Sequence, residues 1–563
     1  MLRYAFTNNR EAGDAFNTAG WTDASARGSD FTSDQALVGA WTTVFGSQSV
    51  GDLRFQIADR RALLRTDDTT GPGIDIAGLV EFGRPYEGNG RRSEQHDQVN
   101  YSYTRSHGRH LWKAGATANH VREDSAVADG FGGTYIFATL ADFGAGLPNE
   151  FRQAFGALGV NYAVTSFGAF FTDHWEATRK LTFDLGVRYD SERLPRVFRQ
   201  DSNNVSPRIG LAYHPARSWV FRAGYGIFYD RYVLAALNRA IQKNGVGAFE
   251  QVLTGAAAAS AFQAGGPLRA PEAGVPLSIY TADPGLATPY SQQANLAAEH
   301  QLARDLTISA TYLFVRGVKL PRTRNIAFPG AGAVTAAGPP GFADIYQLED
   351  SASSTYNGVS LTLNRRMSDE LEFSGSYSFS KTFDDASDFT EQPQNPWNLR
   401  AERAPSLQDQ RHRLVFNALW ELPIGDEENG QPPQPNWVTR IFGHLEIAPI
   451  VTVESGRPAD ALTGIDSNGS HPFPLSARPP GFGRNSLETP MTGNVDFRIL
   501  KYFSFGKTAH LDVVAEAFNL LNRANVAQIN PVFGVGLIPQ PGFLQPLAGE
   551  GARRLQFSLD YEF

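Results

Sequence analysis

The sequence predicts an all-β protein: a transmembrane, antiparallel, up-and-down β-barrel of the outer membrane, with about eighteen strands and long extracellular loops. Three observations predict this fold: there is no long apolar run, apolar and polar residues alternate repeatedly, and the connections alternate between short and long. Hydrophobic residues make up 42% of the 563 residues, and no apolar run approaches the roughly 18–20 residues of a membrane helix. This excludes a helical membrane protein but not a barrel, whose strands are only half apolar.

The composition agrees with a barrel and excludes several other classes. The 39 Phe and 19 Tyr suit strands and interfacial girdles, and the 55 Gly and 33 Pro suit many turns and loops. The chain has no cysteine, which rules out disulfides, thiol chemistry and cysteine-based metal sites. The net charge is −8 without a basic block, which argues against nucleic acid as a partner.

The last nine residues, 555–563, show the alternation most clearly. Every odd position is large and apolar, and every even position is polar or charged. A strand places alternate side chains on opposite faces, so we expect this segment to close and assemble the barrel with its apolar face toward lipid. That face comprises Leu555, Phe557, Leu559, Tyr561 and Phe563.

The same pattern recurs upstream of the last strand. In chain order the other predicted strands are 2–7, 36–45, 53–58, 99–104, 111–121, 167–174, 181–190, 205–213, 220–229, 292–300, 306–316, 357–366, 371–381, 413–422, 444–453, 495–503 and 509–519. Residues 61–93 read as irregular, and one helix is predicted at 234–243 within a connection of about sixty residues. Tight turns alternate with long connections, as periplasmic turns alternate with extracellular loops in outer-membrane barrels. Loops of a soluble sandwich do not sort by length so consistently, and no propeller repeat is present.

The polar faces of these strands are expected to line a hydrated lumen. About eighteen strands leave a bore too wide for side chains to fill. The lumen-facing candidates are Asp184, Arg188, Glu372, Arg411, His412, Arg413 and Glu516. The run 411–413 could bind an anionic ligand, but the favoured interpretation is that its cations pair with carboxylates of the wall.

Two further clusters carry alternative interpretations. Asp384, Asp385, Asp388 and Glu391 could hold a cation such as Ca²⁺, but their spacing lacks the glycines of a calcium loop, and a solvated acidic loop is favoured. His107, His110 and His120 could suggest a metal site, but they straddle a turn and lack a fixed third ligand. We expect them to be surface side chains.

No motif of catalysis is present. The sequence holds no nucleophile elbow, zincin helix or phosphate loop. We therefore assign no catalytic, cofactor-binding or metal-binding residue and expect no enzyme.

Several short segments resemble the barrel of TonB-dependent outer-membrane receptors, and the Oar-like branch in particular. In family order they are FATLADF with GLP at 137–148, VSPRIGLAY with RAGYGIFYDR at 205–231, PYSQQ at 289–293, STYN at 354–357, SFSKTFDD at 378–385, DQRHR at 409–413, ELPIG at 421–425, ESGRP at 454–458, GRN at 483–485 and EAFNLLN at 516–522. Each segment alone is a weak signal. Their common order across residues 137–563 makes the resemblance specific.

The resemblance implies parts that this sequence lacks. Family members carry a signal peptide, often a carboxypeptidase-regulatory-like β-sandwich, and a plug, preceded by a TonB-contacting motif, inside a barrel of twenty-two strands. The first ten residues, MLRYAFTNNR, have no apolar core of signal-peptide length. We therefore expect residues 1–563 to be one barrel domain that is incomplete at its N-terminus, without a plug and about four strands short.

The resemblance also implies a function. The whole protein would bind or import an unknown extracellular solute through its loops and polar lumen, with loops 231–288 and 455–493 forming the ligand pocket. The expected partners are outer-membrane lipid and the barrel-assembly machinery, with the TonB system added only if a plug exists upstream. The alternatives are a porin-like or orphan barrel without TonB coupling and a secreted adhesive β-protein.

Overall fold

Eighteen long strands form one antiparallel wall in the computed structural model, which describes residues 1–15, 20–328, 342–368, 370–424, 437–505 and 509–563. Each wall strand pairs with the wall strands before and after it in the chain. In order they are Leu2–Ala15, Arg27–Phe45, Ser49–Thr66, Gly90–His107, His110–Val127, Gly159–Thr178, Leu181–Arg193, Asn204–Ala216, Trp219–Tyr229, Tyr290–Gln301, Leu306–Asn325, Phe342–Ser368, Leu371–Asp384, His412–Glu421, Leu445–Glu454, Thr492–Phe505, Ala509–Phe518 and Arg554–Glu562. None of the helices in these ranges is long and apolar enough to cross a membrane.

Each of the eighteen predicted strands corresponds to one wall strand, which confirms the predicted fold class. Many wall strands extend further than predicted. Residues 61–93, predicted to be irregular, hold the ends of two wall strands and the short strands Gly73–Ile76 and Val80–Gly83. The physical reason is that apolar and polar residues do not alternate at these strand ends, because Leu63 and Leu64 are adjacent and residues 91–93 are all polar, so the period-two signal disappears there.

The connections between wall strands sort by length, as predicted. Hairpins such as 46–48 are short at the end that holds both termini, whereas connections such as 230–289 are long at the other end. One connection at the short end, 422–444, is long and contains the helix Trp437–Phe442. Residue 369, the turn 506–507 and Gly425 of the ELPIG segment lie outside the described residues. The asymmetry is that of periplasmic turns and extracellular loops.

The two faces of the wall differ as the alternation predicts. On one face, Ser360 and Ser378 share a hydrogen bond of 2.7 Å between their hydroxyls, and Thr362 and Ser376 share one of 3.2 Å. On the other face, apolar side chains such as Leu361 are exposed. A row of bonded hydroxyls suits the lumen, and the exposed apolar face suits lipid.

This difference gives a first prediction. Leu361→Arg should destabilise the folded barrel by about 2–4 kcal/mol if the residue lies near the bilayer midplane, because a cation must then enter the lipid. Thr362→Arg, its neighbour on the opposite face, should be mild. The free energy of unfolding in lipid vesicles, measured with urea, checks both variants. Equal costs for the two would contradict the assignment of the faces.

The first and last wall strands are the edges of the sheet. Residues 2–15 pair with 27–45, and residues 554–562 pair with 509–518; no register within the described ranges joins the two edges to each other. Every residue of the last strand is exposed, including both its apolar and its polar side chains. The closing role of Leu555, Phe557, Leu559, Tyr561 and Phe563 stays a prediction.

The long connections fold into a second body, here called the loop layer. Its main element is the loop sheet, whose strands come from four connections and from the start of the twelfth wall strand. In spatial order the loop sheet comprises Trp21–Thr22, Val80–Gly83, Gly73–Ile76, Thr134–Phe137, Glu150–Gly156, Ala248–Thr254, Leu277–Ala282 and the first residues of Phe342–Ser368. The sequence did not predict this sheet.

Helices and smaller strands complete the loop layer. The helix predicted at 234–243 is confirmed as Leu234–Gln242. The other elements are the helices Leu140–Ala145 and Gly255–Gln263, the 3-10 helices Ala24–Ala26 and Leu399–Glu402, and the strands Ala404–Pro405, Pro458–Ala459, Leu487–Glu488, Val526–Ile529 and Pro546–Gly549.

The buried apolar clusters lie in the loop layer and the adjoining ends of wall strands. One cluster packs the apolar face of the loop sheet against Phe143 of the helix Leu140–Ala145 and Phe262 of the helix Gly255–Gln263. The sheet contributes Ile74, Ile76, Tyr135, Phe137, Phe151 and Leu253 to this cluster. Burial of this area stabilises the loop layer as a folded unit.

Candidate functional site

The opposite face of the loop sheet is polar and charged, yet it is also largely buried. The strand registers place its members on one face: Asp75, Glu81, Thr134, Glu150, Arg152, Glu250, Ser278 and Asp344. Charged groups are rarely buried unless they are paired. The hydrogen-bond and ion-pair partners of these side chains therefore determine whether the face is structural or can bind a ligand.

Arg152 stands at the centre of this face, and its side chain is 0% exposed. Its Nε donates to Glu150 at 3.0 Å, and its Nη1 donates to Glu250 at 3.0 Å and to the Tyr346 hydroxyl at 3.3 Å. Its Nη2 donates to the carbonyl oxygen of His471 at 3.2 Å. One guanidinium thus joins two carboxylates, the Tyr346 hydroxyl at the start of the twelfth wall strand and a distant loop.

Glu250 is held by three donors. Besides Arg152, the Lys243 ammonium donates to it at 2.5 Å and the Tyr86 hydroxyl at 2.9 Å. Burial alone would raise the pKa of Glu250, but Lys243 and Arg152 overcome that effect and lower it to about 2. This buried carboxylate is therefore ionised at neutral pH.

The tip of the connection 455–491 inserts against the same face. The His471 ring contacts Asp344 at 3.0 Å, and the Asn325 amide donates to both Asp344 and the carbonyl oxygen of Ser470. Burial opposes a charged imidazole, but the Asp344 carboxylate raises the pKa of His471. The contact anchors this loop to the loop sheet.

The loop layer joins connections from distant parts of the wall. Arg152 follows the fifth wall strand, whereas His471 follows the fifteenth. Likewise, the Asn530 amide, after the seventeenth strand, donates to the carbonyl oxygen of Gly78, after the third. The two pairs of strands are ten and fourteen positions apart in the wall of eighteen. The loop layer therefore extends across the mouth of the bore.

A second buried cation, Arg484, ties the connections 385–411 and 455–491 together. Its side chain is fully buried and donates to Asp384 at 2.7 Å, to Glu391 at 2.5 and 2.9 Å, and to the Ser387 hydroxyl at 3.0 Å. It also donates to the carbonyl oxygen of Glu402 at 3.2 Å. Arg484 and these partners are here called the Arg484 clamp. Three of the resembling segments, SFSKTFDD, DQRHR and GRN, meet around it.

The clamp corrects the prediction of a solvated acidic loop. Asp384 and Glu391 bind Arg484, while Asp385 and Asp388 accept backbone N–H groups of Ser353 and Thr390. The sequence shows only the acidic residues, because their cation lies far along the chain. No group of three or more histidine or acidic residues in the described ranges could hold a metal ion.

The run 411–413 splits between the two faces of the wall. Arg411 pairs with Asp409 at 3.1 Å and Arg413 with Glu454 at 2.7 Å, as the favoured interpretation predicts. His412 lies opposite Phe379 in the register and accepts or donates a hydrogen bond of 2.8 Å with Tyr377. The prediction that His412 faces the lumen is therefore wrong, because consecutive strand residues cannot share a face.

The other predicted lumen residues are not gathered in one place. Their contacts are Asp184 with His174 at 2.7 Å, Arg188 with Asp190 at 2.6 Å, Glu516 with Arg498 at 3.9 Å, and Glu372 opposite Leu419 in the register. The histidines do not converge either: His107 stacks on Trp112, His110 pairs with Asp173, and His120 contacts Thr165. A lumen-facing role for the charged residues stays a proposal.

One cavity of about 410 Å³ lies at the outer end of the wall, on the face of Arg188. Arg208 stacks its guanidinium on the Phe228 ring at 4.3 Å. The Arg208 Nε and the Asn204 side-chain oxygen are buried there and have no hydrogen-bond partner in the described part of the chain. A side chain at Gly168 would overlap the Arg188 guanidinium. This cavity offers donors and an aromatic face to a polar solute.

Sequence reasoning missed Arg152, Lys243 and Glu250. One local signal existed, because Glu150-Phe151-Arg152 alternates charged and apolar residues as a half-polar strand does. The segment is too short for that signal to stand out. Arg484 lies in the GRN segment, which the resemblance identified without giving it a role.

A family model described as "Outer membrane beta barrel domain" matches residues 1–197 and 193–482. The chain belongs to this family. It is therefore a protein of the outer membrane of Gram-negative bacteria, which does not fit the alternative of a secreted adhesive β-protein.

Solved structures agree on the fold. The outer membrane transporter YddB from Escherichia coli is 12% identical, with a TM-score of 0.61 over 100% of this chain and 66% of its own length. The pyoverdine outer membrane receptor FpvA from Pseudomonas aeruginosa, bound to pyoverdine, is 10% identical, with a TM-score of 0.60 over 100% and 68%. The FrpB iron transporter from Neisseria meningitidis is 12% identical, with a TM-score of 0.55 over 100% and 68%.

At this level of identity the likeness establishes the barrel fold alone. The chain spans about two thirds of the length of these structures. No curated protein sequence matches the chain significantly.

Proposed function

We propose that this chain is the barrel portion of a TonB-dependent transporter of the Oar-like branch, which binds an extracellular solute at its loop layer and imports it through a polar lumen. The observation that carries the proposal is the loop layer, in which Arg152, His471 and Asn530 join connections from strands that are ten and fourteen positions apart in the wall. A porin-like barrel needs an open mouth for diffusion. A folded layer across the mouth instead suits a protein that binds its solute before admitting it.

Two further observations support the assignment to the transporter class. The similar structures include a transporter, an iron transporter and a pyoverdine receptor, none of which is an enzyme by its description. The resembling segments 378–385, 409–413 and 483–485 build the Arg484 clamp, so they shape the loops rather than a catalytic centre. We assign no enzymatic role.

The cavity beside Arg188 and Arg208 is proposed as a binding site for the solute on its way into the lumen. It lies at the outer end of the wall, and its unpartnered Arg208 Nε and Asn204 oxygen can bond a polar solute. Other lumen-facing candidates, Asp184, Glu372 and Glu516, would continue the polar lining.

We also propose that strands and a plug outside these 563 residues complete the domain. The exposed edges 2–15 and 554–562 support further pairing, since unpaired edges invite strand addition. TonB would be a partner only through such a plug, while lipid and the barrel-assembly machinery would be partners of the wall itself.

A conductance measurement separates this proposal from the porin-like alternative. The full chain in a planar lipid bilayer should show no steady open-pore current, because the loop layer covers the mouth. Arg152→Ala should raise the conductance by loosening that layer, and Arg91→Ala, which changes an exposed ion pair, should not. A steady ohmic current through the intact protein would favour the porin-like alternative.

TonB coupling needs a separate test in cells. Cells with and without this protein, and with and without intact TonB, are compared for depletion of medium components by mass spectrometry. We expect at least one solute whose uptake requires both proteins. Uptake that needs this protein but persists without TonB would contradict the coupled mechanism.

A further inference from the structure

A second cavity, of about 290 Å³, lies inside the loop layer. Its floor is the end of the polar face of the loop sheet, with Asp75, Glu81 and Thr134. The tip of the connection 455–491 contributes Phe473, and the helix Leu234–Gln242 contributes Arg239. The cavity therefore lies where loops 231–288 and 455–493 meet. These are the two loops that the sequence analysis expects to form the ligand pocket.

The cavity has an excess of negative charge. Four carboxylates line it, from Asp75, Glu81, Glu87 and Asp129, against one cation, Arg239, which stands 4.0 Å from Asp129. This differs from the Arg152 end of the same face, where Glu250 has two cationic partners.

Of these four carboxylates, Asp75 has the fewest partners to offset its negative charge. Its side chain has no hydrogen bond or ion pair in the described part of the chain, and burial raises its pKa to about 6. It also lies directly opposite Glu81 on the neighbouring antiparallel strand. Such pairs have Cβ atoms about 4.5–5.5 Å apart, and like charges there repel.

A hydroxyl group gives independent evidence of an absent partner. Thr134 is 5% exposed and lines the same cavity, and its Oγ1 has no hydrogen-bond partner in the described ranges. Buried polar atoms are nearly always satisfied in folded proteins. Thr134 shares a face with Asp75, so the carboxylates and the hydroxyl present acceptors to one space.

The remaining lining is apolar. Ile136, Phe473, Leu475 and Val532 border the cavity, and the Phe473 ring packs on Tyr86 at 4.3 Å between centroids. No group of three or more histidine or acidic side chains among the described residues is placed so that it could hold a metal ion. An organic cation would use both the acceptors and the apolar lining.

We propose that this cavity binds a primary ammonium group carried on an apolar or aromatic body, with Asp75, Glu81 and Thr134 receiving the ammonium and Phe473 contacting the body. An ammonium has three donors and no acceptor, which matches two carboxylates and a hydroxyl. Its charge also offsets the repulsion between Asp75 and Glu81. The proposal names a ligand class for the loop layer, and it rests on the proposed function only in assuming that this layer binds a solute.

Calorimetric titration of the purified full chain in detergent micelles tests the proposal, with phenethylammonium as the probe. We expect saturable binding of phenethylammonium and at least tenfold weaker binding of phenethyl alcohol, which has a similar shape but no charge. Asp75→Asn should weaken phenethylammonium binding at least tenfold. Asp388→Asn, which changes an exposed carboxylate of another loop, should bind like the wild type.

A second variant protects the test against misfolding. Thr134→Val keeps the shape of the side chain and replaces only the hydroxyl by a methyl group, and it should weaken binding several-fold. Absence of saturable binding to the wild type, or equal binding of the alcohol and the ammonium, would overturn the proposal. Neither result bears on the conductance and uptake experiments, so failure of this proposal and failure of the proposed function are distinguishable.

Discussion

Replacing Arg152 by alanine is expected to destabilise the loop layer by about 3–5 kcal/mol, the cost of breaking a buried ion pair by removing one partner. The side chain is 0% exposed and donates to Glu150, Glu250, Tyr346 and the His471 carbonyl group. Without it, the buried Glu150 loses its ion-pair partner, and the tip of the connection 455–491 loses an anchor.

Hydrogen exchange of the backbone amides in strands 150–156 and 248–254 measures the effect. We expect protection to fall by at least about a hundredfold, since every 1.4 kcal/mol is tenfold. The control is Arg91→Ala, because Arg91 is 65% exposed and its pair with Asp124 should contribute at most about 1 kcal/mol. Unchanged protection in Arg152→Ala would mean that the buried network does not stabilise the loop layer.

The wall could be predicted from sequence because its signal is local. Alternation in segments such as 181–190 and 555–563 follows from one face in lipid and one in water, and a turn of two or three residues joins neighbouring strands. The loop sheet has no such signal. Its strands are mostly four to seven residues long, and parallel pairs such as Leu277–Ala282 with the start of Phe342–Ser368 join segments that are distant in the chain.

The contacts of the candidate site also fall into those that could be predicted from the sequence and those that could not. The pairing of Arg411 and Arg413 with carboxylates could be predicted, because charges in a barrel interior need partners, whereas His412 was misassigned by treating three consecutive residues alike. The partners of Arg484 could not be predicted, since Asp384 is 100 and Glu391 is 93 residues away in the chain. Such contacts arise only when the loops fold together.

Arg484→Ala is expected to release the connections 385–411 and 455–491 at a cost of about 3–5 kcal/mol. The buried guanidinium donates to Asp384, Glu391, Ser387 and the carbonyl oxygen of Glu402, and alanine leaves two carboxylates without their cation. Arg484→Lys should recover only part of this stability, because an ammonium cannot reproduce the planar fork that serves Asp384 and Glu391 together.

The rate of protease cleavage within these two connections, on the protein in lipid vesicles, measures the release. Arg400→Ala is the matched control, since Arg400 lies in the same connection and is exposed. Cleavage that is equally slow in Arg484→Ala and Arg400→Ala would contradict a stabilising role for the clamp. Because Arg152 and Arg484 both anchor 455–491, the double variant should cost less than the sum of the two single variants. A purely additive result would mean that the two cations stabilise separate parts of the loop layer.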